Sequence, residues 1–160
     1  MRPVRRVMFV GHSGAGKDTA CRLLADVTGL RFAGTTSDYL AKYVADRLGA
    51  TVEQAYRTRH ANRGVWHEVA NEVGMLRPGR LVRESLEHAD ITGGARKAEE
   101  VEACRREGLI DLVVWVANGR VRPGPTLTIG PEDCDVVVVR DNLGEFRRRC
   151  SRWPAPTASP

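Results

Sequence analysis

Seven consecutive residues, Gly11-His12-Ser13-Gly14-Ala15-Gly16-Lys17, constrain this chain more than any other stretch. They follow the apolar run Val7-Met8-Phe9-Val10 and precede a helix-like stretch from Asp18 to Val27. A strand, a glycine loop ending in Gly-Lys and a helix, in that order, is the context in which the pattern G-x-x-x-x-G-K binds phosphate. Glycine lets the backbone curl with its N–H groups inward, and the positive end of the next helix reinforces the resulting anion nest. Gly11, Ser13, Gly14, Ala15 and Gly16 are therefore expected to cradle phosphates, with Lys17 reaching the β- and γ-phosphates of a nucleoside triphosphate. A hydroxyl usually follows the lysine; here Asp18 stands there, with Thr19 after it. Asp18 is a candidate Mg²⁺ ligand, because a carboxylate holds that ion directly or through water, and Thr19 beside it is a second candidate.

Length and composition narrow the class. A chain of 160 residues reads as one domain over 1–152, with a frayed, flexible tail over 153–160. Its apolar runs are too short to span a membrane, and since Met1-Arg2-Pro3 leads straight into a strand no signal peptide is expected. The four cysteines, Cys21, Cys104, Cys134 and Cys150, show no C-x-x-C spacing, so neither a zinc site nor a disulfide framework is indicated and a reducing cytoplasm is expected. The formal net charge of +5 favours anionic partners, nucleotides or nucleic acid.

Along the chain, residues 5–10 predict a buried strand of a parallel sheet. Ala20, Leu23, Leu24 and Val27 recur at helical spacing up to Gly29, and residues 30–33 are expected to form a second strand. Thr35-Thr36-Ser37-Asp38 offers caps for a helix with the apolar face Leu40, Val44 and Leu48, closed by Gly49. Residues 52–73 then predict one helix bearing Arg57, Arg59, His60, Arg63 and Trp66, and Pro78 opens another piece over 80–86. A strand at 89–92 breaks at Gly93-Gly94, a charged helix covers 96–107, and a strand covers 109–116. A loop rich in glycine and proline spans 119–131, before a last strand at 136–139 and a helix at 143–150. This alternation predicts a three-layer α/β domain with a mostly parallel sheet of about five strands. In such a sheet the glycine loop, residues 35–38 and residues 93–96 all follow strands and so share one edge.

Three stretches resemble the bacteriophage deoxynucleoside monophosphate kinases and their small P-loop kinase relatives. Gly14-Ala15-Gly16-Lys17-Asp18-Thr19 is similar to their Gly-Lys-Asp-Thr phosphate loop. Ile91 to Glu100 is similar to a segment in which a strand ends near an arginine and a helix begins with acidic residues. Cys134 to Phe146 resembles their last strand, Asn-rich turn and following helix. The resemblance implies the P-loop kinase fold, ATP and Mg²⁺ as the donor pair, and Arg96 at the acceptor or transferring phosphate. These kinases often carry an aspartate at the end of the third strand, where this chain has Gly93-Gly94. That leaves Asp18, Thr19 and Asp38 as local magnesium candidates.

Phosphoryl transfer needs two oxygens held in line and the charge on the moving group neutralised, tasks for Lys17, Mg²⁺ and an arginine such as Arg96. Asp38 is either a base for an acceptor hydroxyl, a partner of metal-bound water, or a helix cap. Arg59 and Arg63, four apart with Trp66 three further on, suit an acceptor phosphate with a stacked base; the alternative is a solvated charged face with Trp66 in the core. Ser37, Asp38, Arg59, Arg63 and Arg96 are thus the expected acceptor-binding set, and Lys17, Asp38 and Arg96 the expected catalytic set. The leading expectation is a deoxynucleoside monophosphate kinase. A kinase acting on a hydroxyl of a 5-hydroxymethyl pyrimidine in DNA is the second, and a non-catalytic nucleotide-binding or nucleic-acid-binding module the third. The partners expected are a nucleotide, DNA, or a second copy of the chain in a homodimer, with no membrane.

Overall fold

The protein is described here by a computed structural model covering residues 4–152; Trp153 and the expected tail over 153–160 lie outside the described residues. The chain runs β1 (Val7–Val10), α1 (Lys17–Thr28), α2 (Thr36–Leu48), α3 (Val52–Arg57), α4 (Arg63–Leu76), α5 (Arg80–Leu86), β2 (Ile91–Gly93), α6 (Ala98–Arg106), β3 (Leu112–Ala117), β4 (Val136–Val139) and α7 (Leu143–Cys150). Short 3₁₀ turns at Pro131–Asp133 and Arg140–Asn142 flank β4. The four strands are all parallel, in the order β2-β1-β3-β4.

The side-chain period of a strand explains why β1 is apolar at every position. Val7 and Phe9 point to one face, where they meet Leu24 of α1, Val114, Val116 and Phe146 of α7. Met8 and Val10 point to the other, among Val82 and Leu86 of α5, Val101 of α6, Val113 and Trp115. A third cluster, built on Leu40, Val44, Trp66, Val69 and Val73, joins α2 to α4 beside the sheet. The chain leaves β1 toward β2, then crosses back over β1 to β3. The loops after β1 and β3 therefore diverge, and the cleft between them is where ligands of open α/β sheets bind.

Four strands form rather than the five expected. Residues 30–33 make one parallel bridge, Phe32 to Ile91, at the outer edge of β2. Strand β2 is only three residues long, and the backbone of Arg31 is already engaged by Asp90: its N–H donates to the Asp90 carboxylate and its carbonyl accepts from the N–H groups of Asp90 and Ile91. Gly34, at φ 118°, then turns the chain into α2 before a ladder can grow. The helix expected over 52–73 is also two helices. Thr58 Oγ1 donates to the Gln54 carbonyl, and the Asn62 amide donates to both the carbonyl and the hydroxyl of Thr58. Such local side-chain bonds compete with the helical ladder, and residues 58–62 form a turn. No helix among the described residues is long and apolar enough to cross a membrane.

Candidate active site

The glycine loop expected to cradle phosphates bends where its glycines allow, at Gly11 (φ 148°), Gly14 (φ 78°) and Gly16 (φ 99°). At Gly11 the reason is steric as well, because a β-carbon there would lie 2.7 Å from the Val116 carbonyl oxygen. Gly16 is the N-cap of α1, so the unpaired N–H groups of that helix open into the loop. Lys17 folds back over it, its Nζ donating to the carbonyls of Gly11 (2.8 Å) and His12 (2.7 Å). Burial, and then the nearby Arg96 guanidinium, lower the Lys17 pKa from 10.5 to about 8.

A cavity of about 210 Å³ opens beside the loop. On the loop side it is lined by Gly11, Ser13, Gly14, Lys17 and Asp18; across from them stand Thr35, Ser37 and Asp38 at the start of α2, with Tyr56, Arg59, Gly94 and Arg96. Four chain segments, 11–18, 35–38, 56–59 and 94–96, thus meet at the carboxyl edge of the sheet. Asp38 closes the first turn of α2, its Oδ2 accepting from the Thr35 N–H (2.6 Å) and hydroxyl (3.2 Å). Its Oδ1 accepts from the Tyr56 hydroxyl. Both carboxylate oxygens are therefore engaged within the protein, while Asp18 makes no side-chain hydrogen bond among the described residues.

The cations of the cavity are arranged differently. Lys17, Arg59 and Arg96 line it without forming an ion pair among the described residues. Burial, and then the positive charges of Arg59 and Arg63, hold Arg96 below the usual arginine range. Arg96 Nη1 donates to Thr126 Oγ1 at 2.9 Å, which ties it to the loop between β3 and β4. An anion placed among these cations would relieve both their burial and their mutual repulsion.

Several placements differ from the sequence reading. Arg59 and Arg63 do not share a helix face: Arg59 belongs to the turn after α3, while Arg63 begins α4 and is solvent-exposed outside the lining. Trp66 is core, 5% exposed, and carries the Arg59 guanidinium 4.7 Å above its ring. Thr19 is exposed on α1 and outside the lining, and Ala15 is buried beneath the loop. The Gly93-Gly94 pair has a packing reason, since a β-carbon on Gly94 would lie 2.6 Å from Thr36 Oγ1 and one on Gly93 3.3 Å from the Phe9 carbonyl oxygen. Thr35 is the cap of α2 that the sequence offered, while Tyr56 and Arg140 were not foreseen. The Arg140 side chain packs against Gly16, its Cδ 2.5 Å from where a β-carbon would be. Its position directly after a strand, at the carboxyl edge, is the signal that would have found it.

For magnesium, no group of three His, Cys, Asp or Glu side chains among the described residues could hold an ion by itself. Mg²⁺ in nucleotide sites is held by one or two carboxylates together with phosphates and water, and the free Asp18 carboxylate beside Lys17 fits that role.

The sequence matches no protein-family model and no curated protein sequence. Solved structures are similar in fold. A sugar kinase from Janibacter sp. HTCC2649, unliganded, has a TM-score of 0.50 at 20% identity, covering 94% of each chain. Shikimate kinase from Aquifex aeolicus gives 0.44 at 17% identity, over 90% of this chain and 92% of that one. Shikimate kinase from Acinetobacter baumannii, in complex with shikimate, gives 0.42 at 21% identity, over 98% and 86%. The likeness is one of fold: a small α/β domain with a parallel sheet, of the kind found in the sugar kinase.

Proposed function

We propose that the protein is a small ATP-dependent kinase whose acceptor is the phosphate group of a nucleotide, a deoxynucleoside monophosphate on the motifs its sequence carries. The observation behind this reading is the charge arrangement of the cavity. Lys17, Arg59 and Arg96 converge beside a phosphate loop with no carboxylate paired to them, while Asp38 is committed on both oxygens.

In this reading the loop amides and Lys17 hold the β- and γ-phosphates of the donor, and Arg140 lies on the same side against Gly16. Arg59 and Arg96 hold the acceptor phosphate and neutralise charge as the phosphoryl group moves, with Ser37 beside Arg59. Arg63 adds to the field at the rim. Asp18, with Thr19 next to it on the first turn of α1, is the place for magnesium, which when bound supplies charge neutralisation at the donor phosphates. A phosphate acceptor is already ionised at neutral pH, so its attack needs no base. That agrees with an Asp38 occupied by its helix cap and by Tyr56.

The test is ADP release from ATP and Mg²⁺ with each of the four deoxynucleoside monophosphates. Stimulation by one of them is expected. Stimulation only by DNA carrying 5-hydroxymethyl pyrimidines would replace the acceptor by a hydroxyl, and nucleotide binding without stimulated turnover would make the protein a binding module.

A further inference from the structure

Tyr56 lines the cavity, yet neither the phosphate loop nor the arginine cluster accounts for it. Its hydroxyl donates to Asp38 Oδ1, the oxygen left over once Oδ2 has closed the first turn of α2. Its ring lies tilted on Trp66 with centroids 5.3 Å apart, and the Arg59 guanidinium covers the same indole. Arg59 Nη2 in turn reaches Ser37 Oγ at 3.4 Å. The end of α3 and the turn after it are thereby fastened to the start of α2 at two points, each with one ionised partner, Asp38 in the first and Arg59 in the second. The neighbouring Arg57 is spent on an exposed ion pair with Glu53 one turn back, whereas Arg59 is aimed into the cavity with no carboxylate. Burial, then the Asp38 carboxylate, push the Tyr56 hydroxyl up from its ordinary pKa, so it remains a donor throughout the physiological range.

We propose that Tyr56 is a positioning residue for the acceptor: by tying α3 to Asp38 it fixes Trp66 and Arg59 relative to the cavity, so that the Arg59 guanidinium meets the acceptor phosphate already oriented. This rests on the phosphate-acceptor reading above. An arginine side chain has much rotamer freedom to lose on binding, and holding it against an indole that is itself held by Tyr56 removes that loss before the acceptor arrives. The donor side, built on Lys17 and the glycine loop, touches none of these groups by hydrogen bond; Arg59 acts on Lys17 only through its charge, which Tyr56→Phe and Arg59→Lys both leave in place.

The experiment uses the full chain as wild type, Tyr56→Phe, Arg59→Lys and the double variant, with calorimetric titration of each deoxynucleoside monophosphate without donor and, separately, of ADP. Phenylalanine fills the same space, and a melting curve checks that the variant is folded. Loss of one hydrogen bond to a charged group is expected to weaken deoxynucleoside monophosphate binding about tenfold, with ADP affinity kept within about twofold. Because Tyr56 acts through Arg59, the double variant is expected to bind no more weakly than Arg59→Lys alone. Unchanged affinity in Tyr56→Phe, equal weakening of monophosphate and ADP, or additive losses in the double variant would each overturn the inference while leaving the kinase reading standing. A wild-type chain that binds none of the four monophosphates removes the acceptor reading, and the inference with it.

Discussion

Lys17 Nζ donates to the His12 carbonyl oxygen across 2.7 Å, so the ammonium expected to hold a donor phosphate is also bound to its own loop. In the proposed kinase a phosphate entering the loop would meet a charge already placed at its mouth, and the amine would exchange one oxygen for another. Lys17→Ala is expected to abolish ADP release with every acceptor while the melting temperature stays within a few degrees. Full activity in that variant would refute the assignment of the loop.

With the Lys17 pKa lowered from 10.5 to about 8, the proposed nucleotide binding is expected to depend on pH. Phosphate favours the charged amine, so binding raises this pKa and takes up a proton where the free protein is partly neutral. ADP affinity is expected to fall as pH rises through about 8, with proton uptake seen by calorimetry in buffers of different ionisation enthalpy and lost in Lys17→Met. The sign for folding is opposite. The unfolded chain binds more protons at this site, so the site's contribution to stability increases between about pH 8 and 10.5.

Arg96 is the second cause, after burial, of that lowered pKa, and its own cation is disfavoured by burial and by Arg59 and Arg63. Arg96→Gln is expected to shift the alkaline limb of the ADP-affinity profile to higher pH. It is also expected to raise the KM of the acceptor by about a hundredfold, the loss of a charge-assisted contact to a phosphate. An unshifted profile would show that Arg96 and Lys17 do not share a field.

Asp38→Asn separates the carboxylate's possible roles. As a cap and a partner of Tyr56, Asp38 contributes about 1 kcal/mol or more to stability and affects the acceptor KM, with kcat kept within a few-fold. A catalytic base would instead show a drop in kcat of about 10²-fold or more. Steady-state kinetics with thermal melting distinguishes the two.

Gly94→Ala tests the tight edge of the site. Its φ of 99° is unfavourable for alanine, and the added carbon would press on Thr36 Oγ1 at the start of α2. A loss of about 1–3 kcal/mol is expected in denaturant unfolding, with acceptor affinity falling more than ADP affinity.

Much of the architecture was legible because its signals are local. The phosphate loop needs glycines at particular turns, and the ends of α1 and α2 fall at Gly29 and Gly49, both in left-handed conformation at φ 73° and 61°. A β-strand at Val7–Val10 and the helix after it follow from apolar runs that only a covered sheet or a core face can use. Residues 30–33 look equally strand-like in isolation, but pairing depends on a partner, and the three-residue β2 accepts a single bridge. Residues 58–62 fit a continuous helix by period; the bonds of Thr58 and Asn62 break it, and the break is what turns Arg59 toward the cavity. Charge and residue type along the chain thus determined that a glycine loop and basic residues would gather at the edge of a parallel sheet. Which arginines reach it, that Asp38 is closed by Thr35 and Tyr56, and that Arg140 covers Gly16 were decided by contacts between residues far apart in sequence, whose geometry no local propensity encodes.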